Sequence, residues 1–462
     1  MPDTPARIAH DSFGAIAIPA GALWGAQTER SRQFFHIGSQ TMPLALVHAL
    51  AQIKRAAAEV NQGLGLLAAD KAGAIADAAA QVAAGAHDGQ FPLSVWQTGS
   101  GTQSHMNVNE VVAQLASTAL GAGQAVHPND DVNLGQSSND VFPTAMHVAV
   151  VLAVQPLLAA LARLRAALQG QAAALAGVVK LGRTHLQDAT PVTLGQEFGG
   201  HDAQLGLAEN ALRCSLPALH ALAIGGTAVG TGLNTHPDFG RQVAAVLAAR
   251  LGAPFSVAPN LFAAMAGHEP LVILHGGLRV LAVALTKIAG DIRLLGSGPR
   301  GGIGELRLPA NEPGSSIMPG KVNPTQAEAL LMVCAQVMGH DLAIGIAASG
   351  GQLEMNTCKP LIAHDVLDSL QLLGDAMVSF AEHCVEGIVA DTARCEALLG
   401  QSLMLVTALV PHIGYDRAAA IAKQAQASGS SLREAAIASG VVAAADFDAW
   451  VQPAAMLGPQ AG

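Results

Sequence analysis

The chain has 462 residues, enough for two or three domains, and is 51% apolar but only 3% aromatic, so alanine, leucine and valine must pack its core. A formal charge of −10 disfavours nucleic acid, whose phosphates reward basic surfaces, and makes any attraction for an anionic substrate a local matter. Met1 to Ser12 is polar and lacks the apolar stretch of a secretory signal, and five scattered cysteines without metal-type spacing fit reduced thiols in the cytoplasm.

In chain order, the stretch through Gln40 shows mixed polarity and no sustained period. Leu46, Leu50, Ile53, Ala57 and Val60 then fall on one helical face, which Gly63 and Gly65 end. A second alanine-rich helix is predicted over Asp70 to Ala84, and a glycine- and hydroxyl-rich run, Phe91 to Ser104, leads into another near Met106 to Leu120. His127 to Asn139 is polar and turn-like.

Long apolar helices are predicted at Val141–Leu168, Gln196–Ser215, Phe239–Leu251, Glu269–Leu295, Thr325–Ala347 and Leu361–Val385. Helices of such length must pack against each other and against other subunits. The mean hydropathy of +0.37 raises the question of membrane insertion. Val141 to Ala162 is the best candidate, but Pro143, Thr144, His147, Gln155 and Pro156 suit a buried helix better, and no membrane span is expected. A last unit begins near Arg394. There Asp416 is placed to cap a helix that stops at Gly429, Ser431 and Glu434 stand at capping-box spacing, and Phe447 with Trp450 form a small core.

Four polar clusters interrupt this apolar helical chain: Thr98–Asn107, Asn129–Asn139, Gly182–Gln187 and Gly314–Pro324. All are rich in neutral hydrogen-bond donors, as a site between long helices requires when each helix end contributes a part. In the last, Gly314 and Gly320 allow unusual backbone angles while Pro319 and Pro324 restrict the chain beside them. Such a loop can close over a small ligand.

Gly314-Ser315-Ser316-Ile317-Met318-Pro319-Gly320-Lys321-Val322-Asn323 resembles the signature loop of the fumarase/aspartase superfamily. Ser100-Gly101-Thr102, Ser137-Ser138-Asn139-Asp140 and Gly182-Arg183-Thr184-His185-Leu186-Gln187-Asp188 match in order, and the similarity runs from about Phe13 to Trp450. His185, the Ser137-Ser138-Asn139 triplet and His127-Pro128-Asn129-Asp130 make the pattern similar to the class II fumarases, and less like aspartase. The resemblance implies a mainly α, three-domain fold. Residues 1–135 would carry polar site segments, 136–393 a long-helix bundle packing into a homotetramer core, and 394–462 a small helical domain.

It also implies reversible hydration of fumarate to L-malate, a tricarboxylic acid cycle reaction, with no cofactor and no metal, at sites shared between chains. Ser315 would be the base, assisted by Lys321 and loop N–H groups; His185 the general acid, directly or through water; and Glu328 its orienting carboxylate. Ser100, Gly101, Thr102, Ser137, Ser138, Asn139, Thr184, Ser316, Lys321, Val322 and Asn323 would bind the dicarboxylate. His127, Pro128, Asn129 and Asp130 would form a peripheral second site. Three departures from the family pattern stand out: His105 replaces an Asn, Gln124 and Leu134 replace basic residues near the peripheral segment, and Gln352-Leu353 replaces Asn-Phe. The alternatives are a related lyase such as an aspartate ammonia-lyase, or a non-catalytic structural member of the fold.

Overall fold

The computed structural model describes residues 6–121 and 123–459, of which helices form the great majority and strands only four short pairs. The mainly α expectation holds. Residue contacts divide the chain into two units, Met1–Ala159, Ala208–Ala282 and Cys334–Gly374 in one, Ala160–Leu207, Val283–Val333 and Asp375–Gly462 in the other.

In the first unit the helices Leu44–Gly63, Ala69–Ala83 and Thr102–Leu120 pack together. Leu46, Leu50 and Ile53 of the first and Ile75, Ala79 and Val82 of the second are all buried, in a core where small alanines let the backbones approach. The helix Phe239–Leu251 lies against Leu44–Gly63, tied by Arg250 Nη2 to Glu59 at 2.6 Å. The aperiodic N-terminal stretch proves structured: Ala6–Asp11 and Gly14–Pro19 form an antiparallel hairpin, followed by the helix Ala26–Phe34.

The second unit contains the hairpin Val179–Thr184 and Gln187–Thr193 and the C-terminal helices. Leu409, Ile421, Ala425, Leu432, Ala435 and Phe447 form a small core, with Trp450 half-buried against it, as expected. Ser431 and Glu434 make the anticipated capping box. Asp416 does not cap its helix. The helix Tyr415–Ser428 begins two residues earlier than such a cap would set it, after Gly414 at φ 83°, and Asp416 lies in its first turn, where its negative charge interacts favourably with the helix dipole.

The long helices run Ser138–Ala174, Leu194–Leu219, Glu269–Leu295, Thr325–Ser349 and Lys359–His383. Three of them, Ser138–Ala174, Glu269–Leu295 and Thr325–Ser349, are long and apolar enough by composition to cross a membrane. The most apolar window of Thr325–Ser349 is only 28% buried in this chain, so Met332, Leu342 and Ile346 stand exposed on it. Apolar area of that kind calls for a covering partner.

Candidate active-site segments

One group of candidate residues is built in the first unit. Gly101 adopts φ 77° at the N-cap of Thr102–Leu120, and a Cβ there would stand 2.3 Å from the Phe142 ring. Only glycine fits, so Gly101 shapes the turn and offers no side chain. The turn sets Ser100 Oγ 2.8 Å from Thr102 Oγ1, both half-buried.

Ser137 precedes the helix Ser138–Ala174 and is capped reciprocally. Its Oγ accepts from the Asn139 N–H at 3.2 Å, while its own N–H donates to Asp140 Oδ1 at 2.9 Å. Asp140 Oδ2 accepts two further amides, those of Gly225 and Thr227, both at 3.0 Å. Burial still raises the Asp140 carboxyl to about 6, against these three amides and the nearby Lys54. Asn139 Nδ2 donates to the Ala228 carbonyl at 2.8 Å, and Ser138 Oγ meets His105 Nδ1 at 2.7 Å.

The second unit carries the other group. Thr184, His185, Leu186 and Gln187 form the tip of the hairpin, with Thr184 opposite Gln187. His185 and Leu186 both take the left-handed conformation, φ 56° and 58°, the signature of a two-residue I′ turn. Both are exposed. The hairpin is anchored beneath by buried Glu305, which receives Arg183 Nη1 at 3.0 Å and Lys180 Nζ at 3.1 Å.

The glycine-serine loop closes on itself. Gly314 N–H donates to the Lys321 carbonyl at 2.9 Å, and Asn323 Nδ2 donates to the Gly314 carbonyl at 2.5 Å. Ser315 Oγ accepts the backbone N–H groups of Ile317 at 3.2 Å and Met318 at 3.0 Å. Two amide donors on one hydroxyl oxygen favour its anionic form. The Lys321 ammonium, expected to assist Ser315, makes no hydrogen bond to it among the described residues. Ser316 and Val322 are exposed on the same loop. Lys321, Val322 and Asn323 border a cavity of about 1000 Å³ with Arg293, Arg300, Arg307 and Asp391, the last paired with Arg307 at 2.6 Å.

Glu328 is exposed in the first turn of Thr325–Ser349 and is not hydrogen-bonded to His185 in this chain. The peripheral segment folds as a single turn, Pro128–Val132, after His127. His127 Nδ1 accepts from the Asp130 N–H at 3.1 Å, and the nearby Lys71 ammonium is engaged by Asp131 at 2.7 Å. Asn129 is exposed beside them. No group of three metal-type side chains gathers among the described residues.

A family model described as Lyase matches residues 14–339, and one described as Fumarase C C-terminus matches residues 405–458. The class II fumarate hydratase of Chromobacterium violaceum is 63% identical over 97% of this chain and 98% of its own. The chain belongs to the class II fumarate hydratases. The family member from Thermosynechococcus vestitus is 57% identical, with 98% of each chain covered. The crystal structure of class II fumarase from Schistosoma mansoni superposes with a TM-score of 0.95 at 44% identity, covering 98% of this chain and 99% of that one.

Within this class II fumarate hydratase fold, the sequence reading missed three buried polar side chains of the first unit. Lys54, fully buried, reaches His105 Nε2 at 2.5 Å, Gln136 Oε1 at 2.8 Å and Asn133 Oδ1 at 3.0 Å. Lys359 is also fully buried, and its Nζ has no hydrogen-bond partner. Its backbone N–H donates to Gly99 at 3.1 Å, beside Ser100, and burial lowers the amine to about 8. His268 has neither ring nitrogen bonded, and burial lowers it to about 3. A signal was available for Lys54: with Leu50, Ala57 and Asn61 it lies on the apolar face of its helix.

Proposed function

We propose that the protein adds water reversibly across the double bond of fumarate to give L-malate. Identity of 63% to a class II fumarate hydratase over nearly the whole chain carries this reading. The substrate is a small dicarboxylate. In the dehydration direction, Ser315 removes a proton from the carbon beside one carboxylate. The Ile317 and Met318 amides stabilise the alkoxide that this requires. The electron pair left on carbon moves onto the carboxylate oxygens, where neutral donors from Thr102, Ser138, Asn139, Thr184 and Asn323, with Lys321, stabilise the added charge preferentially.

His185 then supplies a proton, directly or through water, to the departing hydroxyl, which leaves as water, and Glu328 orients the imidazole. The hairpin tip suits this part because its ring is presented outward on a rigid support. Within one chain His185 and Glu328 do not meet, which supports a homotetramer whose sites draw on several chains. The exposed apolar side chains Met332, Leu342 and Ile346 supply the surface for that association. The division into 1–135, 136–393 and 394–462 is kept as part of this proposal, as is a cytoplasmic location, supported by five free cysteines.

The test is spectrophotometric. Purified protein is given fumarate, L-malate or aspartate in parallel, with chelator present. Loss of fumarate absorbance with only water added, and its gain from malate, are expected. Turnover of aspartate without turnover of malate would replace this reading with an ammonia-lyase.

A further inference from the structure

The buried lysine and the histidine that departs from the family pattern form one chain of contacts ending on a candidate substrate hydroxyl. Lys54 Nζ has three acceptor-type neighbours within 3.0 Å, namely His105 Nε2, Gln136 Oε1 and Asn133 Oδ1. In its charged form Lys54 has three N–H bonds for these three neighbours; burial pulls its amine well below the ordinary lysine range, and the nearby Asp140 carboxylate works against that shift. The ammonium and the imidazole Nε2 are in direct contact at 2.5 Å. The Asp140 carboxylate, buried in the same unit, offsets the ammonium charge.

If Nε2 accepts, the neutral ring must carry its proton on Nδ1, the atom 2.7 Å from Ser138 Oγ. The serine oxygen then accepts, and its own hydrogen is free to point elsewhere. We propose that Lys54 and His105 are positioning residues that fix the Ser138 hydroxyl as a donor toward a carboxylate of the substrate. A hydroxyl otherwise rotates between donating and accepting. Here one lone pair is engaged from beneath, which leaves the O–H free to donate to an incoming anion. Both His105 and Lys54 are inaccessible to water, and burial holds the imidazole well below its ordinary range, in its neutral form. An Asn in place of His105 could do the same work, accepting from Lys54 through Oδ1 and donating through Nδ2. The functional half of this inference rests on Ser138 being a substrate contact.

The tautomer is measurable without turnover. Nitrogen-15 NMR of the full protein labelled at histidine, with His105 assigned by its loss in His105→Asn, should show a protonated Nδ1 and a bare Nε2. This pattern should not change between about pH 6 and 8. A protonated Nε2 would mean that Ser138 donates inward, and the proposal would be lost.

Kinetics supply the second arm. His105→Asn should keep KM within about threefold of the parent, whereas His105→Leu should raise KM for fumarate and malate about 10- to 100-fold, with a smaller change in kcat. A folded leucine variant with parental KM overturns the relay. If that variant fails to assemble, the NMR result decides alone. Parental KM in Ser138→Ala would instead remove Ser138 from the substrate site, leaving the measured tautomer to judge the relay by itself.

Discussion

Two serines in this molecule are held in opposite ways. Ser138 stands on a foundation of buried polar groups, with His105, Lys54, Asn133 and Gln136 stacked beneath it in one hydrogen-bonded column. Ser315 has no such foundation. Its oxygen is held by amides two and three residues further along its own loop, and its neighbour Ile317 is 83% exposed. The difference follows the chemistry. A group that recognises a constant part of the substrate gains from rigidity, because ordering costs are met on folding. A loop with few buried contacts opens at small cost, which suits a base that must admit and release its substrate.

The sharpest way to break this contrast is Ser315→Ala. We expect kcat to fall between about a hundred- and ten-thousand-fold, with the oligomer unchanged by light scattering. An active alanine variant would take the base role from the loop altogether. Paired glycine substitutions come next. In Gly101→Ala the new Cβ would lie 2.3 Å from the Phe142 ring, deep in the packed unit, so stability should drop by about 1–3 kcal/mol in denaturant melts. In Gly314→Ala it would lie 2.4 Å from the Lys321 carbonyl oxygen, so loop closure and turnover should suffer while the melt stays within about 0.5 kcal/mol. Equal losses of stability would show that the loop is as integral to the fold as the Gly101 turn.

Acid gives the subtlest contrast. Burial lowers His147 to about 4 and His268 to about 3, both in the first unit. These rings stay neutral in the folded protein, while the unfolded chain takes up a proton near pH 6.5, so acid favours unfolding. Stability present above pH 6.5 should be lost progressively toward pH 4, by about 2 kcal/mol per ring at pH 5. Asp140, raised to about 6, acts in the opposite sense between its unfolded value and 6, and two rings outweigh one carboxyl. Melts at pH 7 and pH 5 should therefore differ, and His268→Leu should narrow the gap. A flat profile would contradict the buried-neutral state.

Much of this architecture was legible in the residues. Periodicity located Phe239–Leu251 and Glu269–Leu295 to the residue, because long apolar repeats dominate local noise. The helix expected from Met106 starts at Thr102 instead, since its first turn is polar and carries no period. The hairpins escaped notice. Ala6–Asp11 is only six residues long in a stretch of mixed polarity, too short to show a sustained period, and Arg183 to Asp188 reads as a polar loop. The loop motif pointed to Ser315, whereas for Lys54 the only signal was its place on the apolar face of its helix, with no motif beside it. A lysine inside an apolar stripe is visible only when read as a polar group needing partners, and those partners, Asn133 and Gln136, lie about eighty residues away.

The turn at His185 and Leu186 has a further consequence for anyone seeking a hardier variant. Side-chain-bearing residues with φ above 50° cost about 1–2 kcal/mol each relative to glycine, so Leu186→Gly is an obvious route to a higher melting temperature. The same change would slacken the fingertip that presents the imidazole. Thermal hardness and turnover are thus set against each other at a single peptide unit.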